Sequence, residues 1–275
     1  MNILFWNTYG NSNKSNINDS LFELISENKC DLIVLAEYNH DIKKLCHSLN
    51  IQTTKEYHPI PSNGGCERII GLINKKYRIS ILNEQTRYQI IKIETSYYQL
   101  LIAMIHNTSK FQLSDDAQRE NLRIFHQDII EQEEKHTTRN TLVIGDFNAN
   151  PFESSCVAAN SLHAIPYINE VKNPTRIVQE KKYQKFYNPT WKFFSKREIP
   201  YTTYYCNKSD LYSIYWNIFD QVVIRPELID AFVDESLCII SETRNHKLLE
   251  RNKPNKVNYS DHLPLFLKLE EGKIK

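Results

Sequence analysis

The sequence predicts an α/β protein in which two β-sheets pack together with helices on their outer faces. Short, wholly apolar runs recur along the chain, and each stops at a polar residue: Ile3 to Trp6 before Asn7, Leu32 to Ala36 before Glu37, Leu101 to Ile105 before His106, Leu142 to Ile144 before Gly145-Asp146, and Ile218-Phe219 before Asp220. Runs this apolar and this short read as strands covered on both faces rather than as surface hairpins. The helical patterns are segregated from two blocks of strands, which is the arrangement expected of stacked sheets with helices outside.

In chain order, Asn18 or Asp19 is expected to cap a helix reaching about Asn28, with Leu21, Leu24 and Ile25 facing inward. A second helix is expected from about Asp41 to Leu49. The longest runs from about Ser114, its cap, to Lys135, with Ala117, Leu122, Phe125, Ile129 and Ile130 as its apolar stripe. Strands are expected around residues 67 to 74, 78 to 83, 88 to 94 and 99 to 106. Near the C-terminus the order of polar and apolar residues reverses, because Ser260-Asp261-His262 leads into the run from Leu263 to Leu269.

The stretch Leu142-Val143-Ile144-Gly145-Asp146-Phe147-Asn148 carries the most chemical information. On a strand, positions i and i+2 share a face. Asp146 and Asn148 at the mouth of a sheet could then grip a water and a phosphate oxygen. The plainer alternative is a strand that ends in an Asx turn. If the strands end together, their polar residues form a rim of several potential anions, which is electrostatically costly unless a divalent cation occupies it.

At 275 residues, 41% hydrophobic and 24% charged, the chain can bury a large core. With 6 glycines, 10 prolines and no linker, repeat or low-complexity tract, residues 1 to 275 are expected to form one domain. No stretch approaches the roughly 18 apolar residues of a membrane span. The first strand is expected to begin at residue 3, so no cleavable leader is expected before it. The six cysteines lack any CxxC pairing, so neither a zinc site nor a disulfide framework is suggested, and a cytoplasmic location is expected. The net charge is +1 and the basic residues are dispersed. From Lys181 to Tyr205, however, bases alternate with aromatics, including Trp191-Lys192. That mixture suits single-stranded or distorted nucleic acid, or a loop packed on the body.

Asn7, Glu37 closing Asp31 to Ala36, His106, Gly145-Asp146-Phe147-Asn148, Asp220 and Ser260-Asp261-His262 together resemble the endonuclease/exonuclease/phosphatase superfamily, and the resemblance spans residues 3 to 269. It implies a four-layer α/β sandwich, two packed mixed β-sheets flanked by helices, and a metal-dependent phosphodiesterase. On that reading Glu37 is the main Mg²⁺ ligand, with Mn²⁺ as a substitute, and Asn7 and Asp261 assist at the ion. Asp146 holds or deprotonates the attacking water, Asn148 binds phosphate, and Asp220 orients His262. His106 suggests the pancreatic-type deoxyribonuclease branch, in which it would be a general acid paired with Glu67.

Two features depart from the family pattern. Tyr9 stands where several relatives carry a metal-binding aspartate. Asn188-Pro189-Thr190-Trp191-Lys192 resembles part of the inositol polyphosphate 5-phosphatase pattern, but Asn217-Ile218-Phe219-Asp220 replaces the Trp-Cys-Asp-Arg motif expected after it. The leading expectation is a nuclease with nucleic acid as its partner, with Glu67, Trp191 and Lys192 as substrate contacts. The alternatives are an inositol-phosphate or phospholipid phosphatase or phosphodiesterase, and a pseudoenzyme that only binds.

Overall fold

In a computed structural model that describes residues 1–10, 15–109, 114–207 and 214–275, two large mixed sheets are sandwiched between helices. Their strands are β1 (Asn2–Asn7), β2 (Leu32–Ala36), β3 (Tyr57–Pro59), β4 (Ile69–Asn74), β5 (Arg78–Gln85), β6 (Tyr88–Glu94), β7 (Gln99–His106), β8 (Thr141–Asp146), β9 (Ala164–Ile165), β10 (Phe186–Tyr187), β11 (Asp220–Ile224), β12 (Cys238–Ile239) and β13 (Leu265–Lys268). The longer helices are α1 (Ser15–Glu27), α2 (Ile42–Gln52) and α3 (Asp115–Lys135). Among the described residues, one sheet has the order β12-β13-β1-β2-β4-β3 and the other β5-β6-β7-β8-β11-β10-β9.

Both sheets have a parallel pair at the centre with antiparallel neighbours on either side, and the second ends in a further parallel pair, β10 with β9. In the first sheet β1 and β2 run parallel with Asn7 opposite Ala36; in the second β7 and β8 run parallel with His106 opposite Asp146. Parallel strands finish at the same edge, so four of the polar ends reach one rim. β11 runs back against β8 with Asp220 opposite Asp146. Asp220 therefore opens its strand, whereas the apolar pair before it suggested that it closes one.

Side-chain alternation explains why the strands lack a polar face. Along the second sheet Ile102, Met104, Leu142, Ile144, Val222 and Ile224 join the core shared with the first sheet, while Ala103, Ile105, Val143 and Val223 pack with Leu122, Phe125 and Ile129 of α3. Helices α1 and α2 cover the opposite side through Leu21, Leu24, Leu45 and Leu49, which completes four layers. Ser114 caps α3, accepting from Ala117 N at 3.3 Å, and Asp41 caps α2, accepting from Lys43 N at 2.8 Å. Helix α1 starts a turn earlier than expected. Its buried stripe begins at Ile17, and the Asn18 side chain instead accepts from the Tyr38 hydroxyl at 2.7 Å.

The inward face of α3 also carries polar residues that an apolar stripe cannot reveal. Arg225, directly after β11, is 1% exposed; it donates to Glu133 at 2.7 and 3.0 Å and to the Lys185 carbonyl at 2.9 Å, and its guanidinium lies 3.8 Å from the Phe186 ring centroid. Burial first, and then the Arg225 charge, push His126 down to about 3. The neutral imidazole accepts from Arg225 at 3.1 Å and donates its other N–H to the Ser161 carbonyl at 2.7 Å. Glu133→Ala leaves the guanidinium buried without its counter-ion and should cost about 3 to 5 kcal/mol in urea unfolding. Glu133→Leu combined with Arg225→Met should cost less than Glu133→Leu alone, and a larger loss in the double variant would contradict this account.

Glu271 ties the opening of β1 to the second sheet. Its carboxylate accepts from the Tyr77 hydroxyl at 2.7 Å and the Tyr98 hydroxyl at 2.9 Å, and it stands 3.1 Å from the Met1 ammonium. Burial opposes the charge, but these donors outweigh it and hold the carboxyl down to about 2, below its ordinary 4.5. The folded state thus favours the ionised form, a stabilisation that is complete above the ordinary value and lost as pH falls through the depressed one. Glu271→Gln should lower the melting temperature at pH 7, and the gap to the parent should close on acidification between the two values. A gap that stays constant down to the lower value would show that the charge contributes nothing.

Candidate active site

The rim where the sheets meet opens into a cavity of about 700 Å³ whose lining includes Asn7, Glu37, His106, Asp146, Asn148, Asp261 and His262. Each residue arrives by local backbone chemistry. Gly145 is required because β7 and β8 run too close for a side chain: a Cβ there would lie 1.9 Å from the Ile105 carbonyl oxygen. Past the strand ends the chain turns sharply, and Tyr9, Glu37 and Asn148 adopt left-handed φ values of 55°, 52° and 50°. Such conformations cost about 1 to 3 kcal/mol each and persist only where the surroundings impose them. For Glu37 the surroundings are the Arg68 carbonyl, which accepts its N–H at 3.2 Å, and Thr8 Oγ1 and Gly10 N, which both donate to its carbonyl.

Asp146 and Asn148 form the Asx turn that was the plainer reading of their spacing. Asn148 N donates to Asp146 Oδ1 at 2.8 Å, and the Asn148 amide donates to the Asn107 carbonyl at 2.9 Å. The other Asp146 oxygen, Oδ2, accepts from Asn7 Nδ2 at 2.9 Å, which links the two sheets. Because the Asn7 oxygen also accepts from Tyr9 N at 3.0 Å, both ends of this amide are engaged within the protein.

His262 Nδ1 lies 2.8 Å from Asp220 Oδ2, while its Nε2 stands 3.9 Å from both Asp146 Oδ2 and Asp261 Oδ1. Burial disfavours the charged ring, but Asp220, Asp146 and Asp261 overcome it and raise the imidazole to about 10. The ring is fixed from several sides. Trp6 Nε1 donates to the His262 carbonyl at 2.9 Å, Ser260 Oγ accepts from His262 N and donates to the Asn7 carbonyl, and the Tyr204 ring packs with its centroid 4.6 Å away. Asp146, at 1% exposure, is pushed up by burial and by Asp220, with His262 pulling the other way.

His106 is the opposite case. Burial, with Arg87, His262 and Arg68 as like charges, pushes it down to about 3. Its Nε2 is 3.4 Å from Glu37 Oε1 and 3.7 Å from Asp146 Oδ2, so Glu37 stands beside it where Glu67 was expected. Glu67 lies exposed just before β4 and is not among the cavity residues. Trp191 and Lys192 also lie outside the cavity lining. They sit in a 3-10 turn, Pro189–Ser195, where Trp191 packs edge-on against Phe194 and Lys192 is held by the backbone and carboxylate of Asp234. The aromatic and basic stretch thus folds mainly onto the protein body.

Several cavity residues escaped the sequence reading. Tyr204, between His262 and Phe219, was visible only as one aromatic among many. Asn150 bonds Glu153, Asn217 and Ile218 N, thereby bracing the cavity wall; its place two residues beyond Asn148 was the available signal.

A divalent cation has two candidate seats. Asp146, Asp220 and His262 present ligand atoms within 4.8 Å of one another, but a metal there would displace the His262 proton and its hydrogen bond to Asp220. Glu37 and Asp261 offer oxygen donors suited to a hard cation. Burial raises both carboxyls, the Asp261 charge raises Glu37 further, and Asp261 Oδ1 is buried without a hydrogen-bond partner. The donor set fits a cation on that side.

No protein-family model and no curated protein matches the sequence. Solved structures do match its architecture. D. rerio TDP2 complexed with a single-strand DNA product aligns at 16% identity and a TM-score of 0.54 over 98% of each chain. The endonuclease domain of TRAS1, a telomere-specific non-LTR retrotransposon, aligns at 10% identity and a TM-score of 0.52, covering 98% of this chain and 97% of that one. An endonuclease/exonuclease/phosphatase family protein from Leptotrichia buccalis aligns at 14% identity and a TM-score of 0.55, covering 98% and 99%. The chain has the fold of the endonuclease/exonuclease/phosphatase superfamily.

Proposed function

We propose that the chain is a divalent-metal-dependent phosphodiesterase that cleaves nucleic-acid strands. The observation that carries this reading is His262, braced by Asp220 at 2.8 Å and set 3.9 Å from Asp146 in the wall of a solvent-open cavity. A cationic donor beside a carboxylate whose affinity for protons is raised provides what phosphodiester hydrolysis requires: charge for the transition state and a base for water. Asp146, held by Asn7 and the Asn148 N–H, takes the proton of the attacking water. His262, held through Nδ1 by Asp220, stabilises the developing charge on the phosphoryl oxygens through its Nε2 side. The endonuclease neighbour of the same fold supports the reaction class, and the TDP2 complex with a single-strand DNA product supports the choice of partner.

Glu37 and Asp261 would hold the cation, with Mg²⁺ as the assignment and Mn²⁺ as the substitute. Bound there, the ion would neutralise phosphoryl charge and orient the ester. EDTA should abolish cleavage. Glu37→Gln should fold like the parent but need at least about 10-fold more Mg²⁺ for half-maximal rate, as read from kcat/KM against metal concentration. Cleavage that persists in EDTA would remove the metal from the reading.

For His106 the same reading favours a role other than general acid. A ring pushed well below its ordinary range and set against Glu37 is neutral, so it serves as a positioning residue for the carboxylate rather than as the general acid that the sequence suggested. His262→Ala should lower kcat by about 100- to 1000-fold, as loss of one charge-stabilising donor does. His106→Ala should cost less, and by the same factor for nitrophenyl and alkyl leaving groups. A loss confined to poor leaving groups would restore the acid role.

A further inference from the structure

Beside the phosphoester site the cavity wall ends in exposed aromatic surface. Phe152 lines the cavity yet is 47% exposed, and Phe194, 39% exposed, lies next to it with ring centroids 5.6 Å apart. Behind Phe194 stands Trp191, edge-on at 5.9 Å. Three rings thus run outward from the cavity rim onto the surface.

The backbone beneath Phe152 and Phe194 is braced by hydrogen bonds. Phe152 follows Pro151 and Asn150, and Asn150 is locked by bonds to Glu153, Asn217 and Ile218 N. Phe194 belongs to the 3-10 turn Pro189–Ser195, which is capped by Asn188, whose side chain accepts from Thr190 N at 3.0 Å. A large apolar ring left nearly half exposed beside a cavity of polar and charged side chains is only partly covered by the protein's own packing. What it offers a ligand is a flat π-face already in position, so little conformational entropy is lost on stacking.

We infer that Phe152, supported by Phe194, is a stacking shelf for an unpaired nucleobase next to the scissile phosphate, so that the preferred substrate is single-stranded or frayed nucleic acid. The inference rests on the phosphodiesterase reading for its phosphate and goes beyond it in assigning the base. Continuity selects the occupant, because a group reaching Phe152 while its phosphate sits among Glu37, Asp146 and His262 must be flat, largely uncharged and joined to that phosphate. A nucleobase satisfies all three conditions. An inositol ring has no π-face, and a base paired in a duplex keeps its faces stacked on its neighbours.

The test is strand affinity by fluorescence anisotropy, with Asp146→Asn in every protein to block hydrolysis. The probes are a labelled oligothymidylate, an abasic strand of the same length and the corresponding duplex. Phe152→Ala should weaken binding of the oligothymidylate by about 5- to 150-fold, the worth of one stacked base. Phe152→Tyr should restore it, and the abasic strand should bind all three proteins equally. Equal affinity for base-bearing and abasic strands, tighter binding of duplex than of single strand, or an equal loss for both strands on Phe152→Ala would overturn the shelf. Hydrolysis is read separately on the chain with Asp146 intact and Mg²⁺ present: base-dependent binding together with no cleavage of the same oligothymidylate there would keep the shelf and sink the enzyme reading. Hydrolysis with base-independent binding would do the reverse.

Discussion

Two carboxylates buried opposite one another are the constraint around which this molecule is organised. Asp146 and Asp220 face each other in the β8–β11 register, at 1% and 0% exposure. Two like charges so placed in a poorly solvated site repel strongly. A proton must enter the pair or a cation must stand beside it. His262 supplies that cation: its bond to Asp220 and its approach to Asp146 hold the ring charged against the penalty of burial. The loop that delivers His262 comes from the far end of the chain, and it is fastened through Trp6 and Ser260 to the first strand. The neutralisation of β8 therefore depends on closing the first sheet, so the fold and the charge balance of the site are satisfied together.

The same electrostatics separates the two histidines. Both rings are buried and both lie near Asp146, yet one is driven up and the other down. The difference lies in their partners. His262 has a carboxylate at hydrogen-bond distance, whereas His106 has Glu37 and Asp146 only at 3.4 and 3.7 Å and also senses two arginines as like charges. A cationic group and a neutral group can then do different work within one cavity, the first stabilising charge and the second holding Glu37 in place.

Much of this was legible in the sequence because it depends on short-range rules. Apolar runs ending in polar residues located β1, β2, β7 and β8, and the cap at Ser114 was readable because a helix start needs a side-chain acceptor. What was not legible depends on partners distant in sequence. Glu133 and His126 on α3 make sense only beside Arg225, and Glu67 was a reasonable partner for His106 until the sheets placed Glu37 there instead. The direction of β11 was misread for a similar reason. The residues Ile218-Phe219-Asp220 look the same whether a strand ends or begins at the aspartate, and only pairing with β8 decides.

Trp191 shows how a composition signal can be sound in kind and misplaced in position. Aromatics interleaved with bases between Lys181 and Tyr205 suggested a strand-binding loop, yet Trp191 is turned into the surface and Lys192 is taken up by Asp234. Side chains that do face outward near the chemistry include Phe194, from within that stretch, and Phe152, from outside it. Folding therefore converts the run into a support: Trp191 braces Phe194, Phe194 packs against Phe152, and Phe152 borders the cavity. Alternation of aromatics and bases counts groups of the right chemistry but carries no information on which faces remain in water. That is settled by the Asn150 network and the 3-10 turn, which fix where the backbone beneath each ring must run.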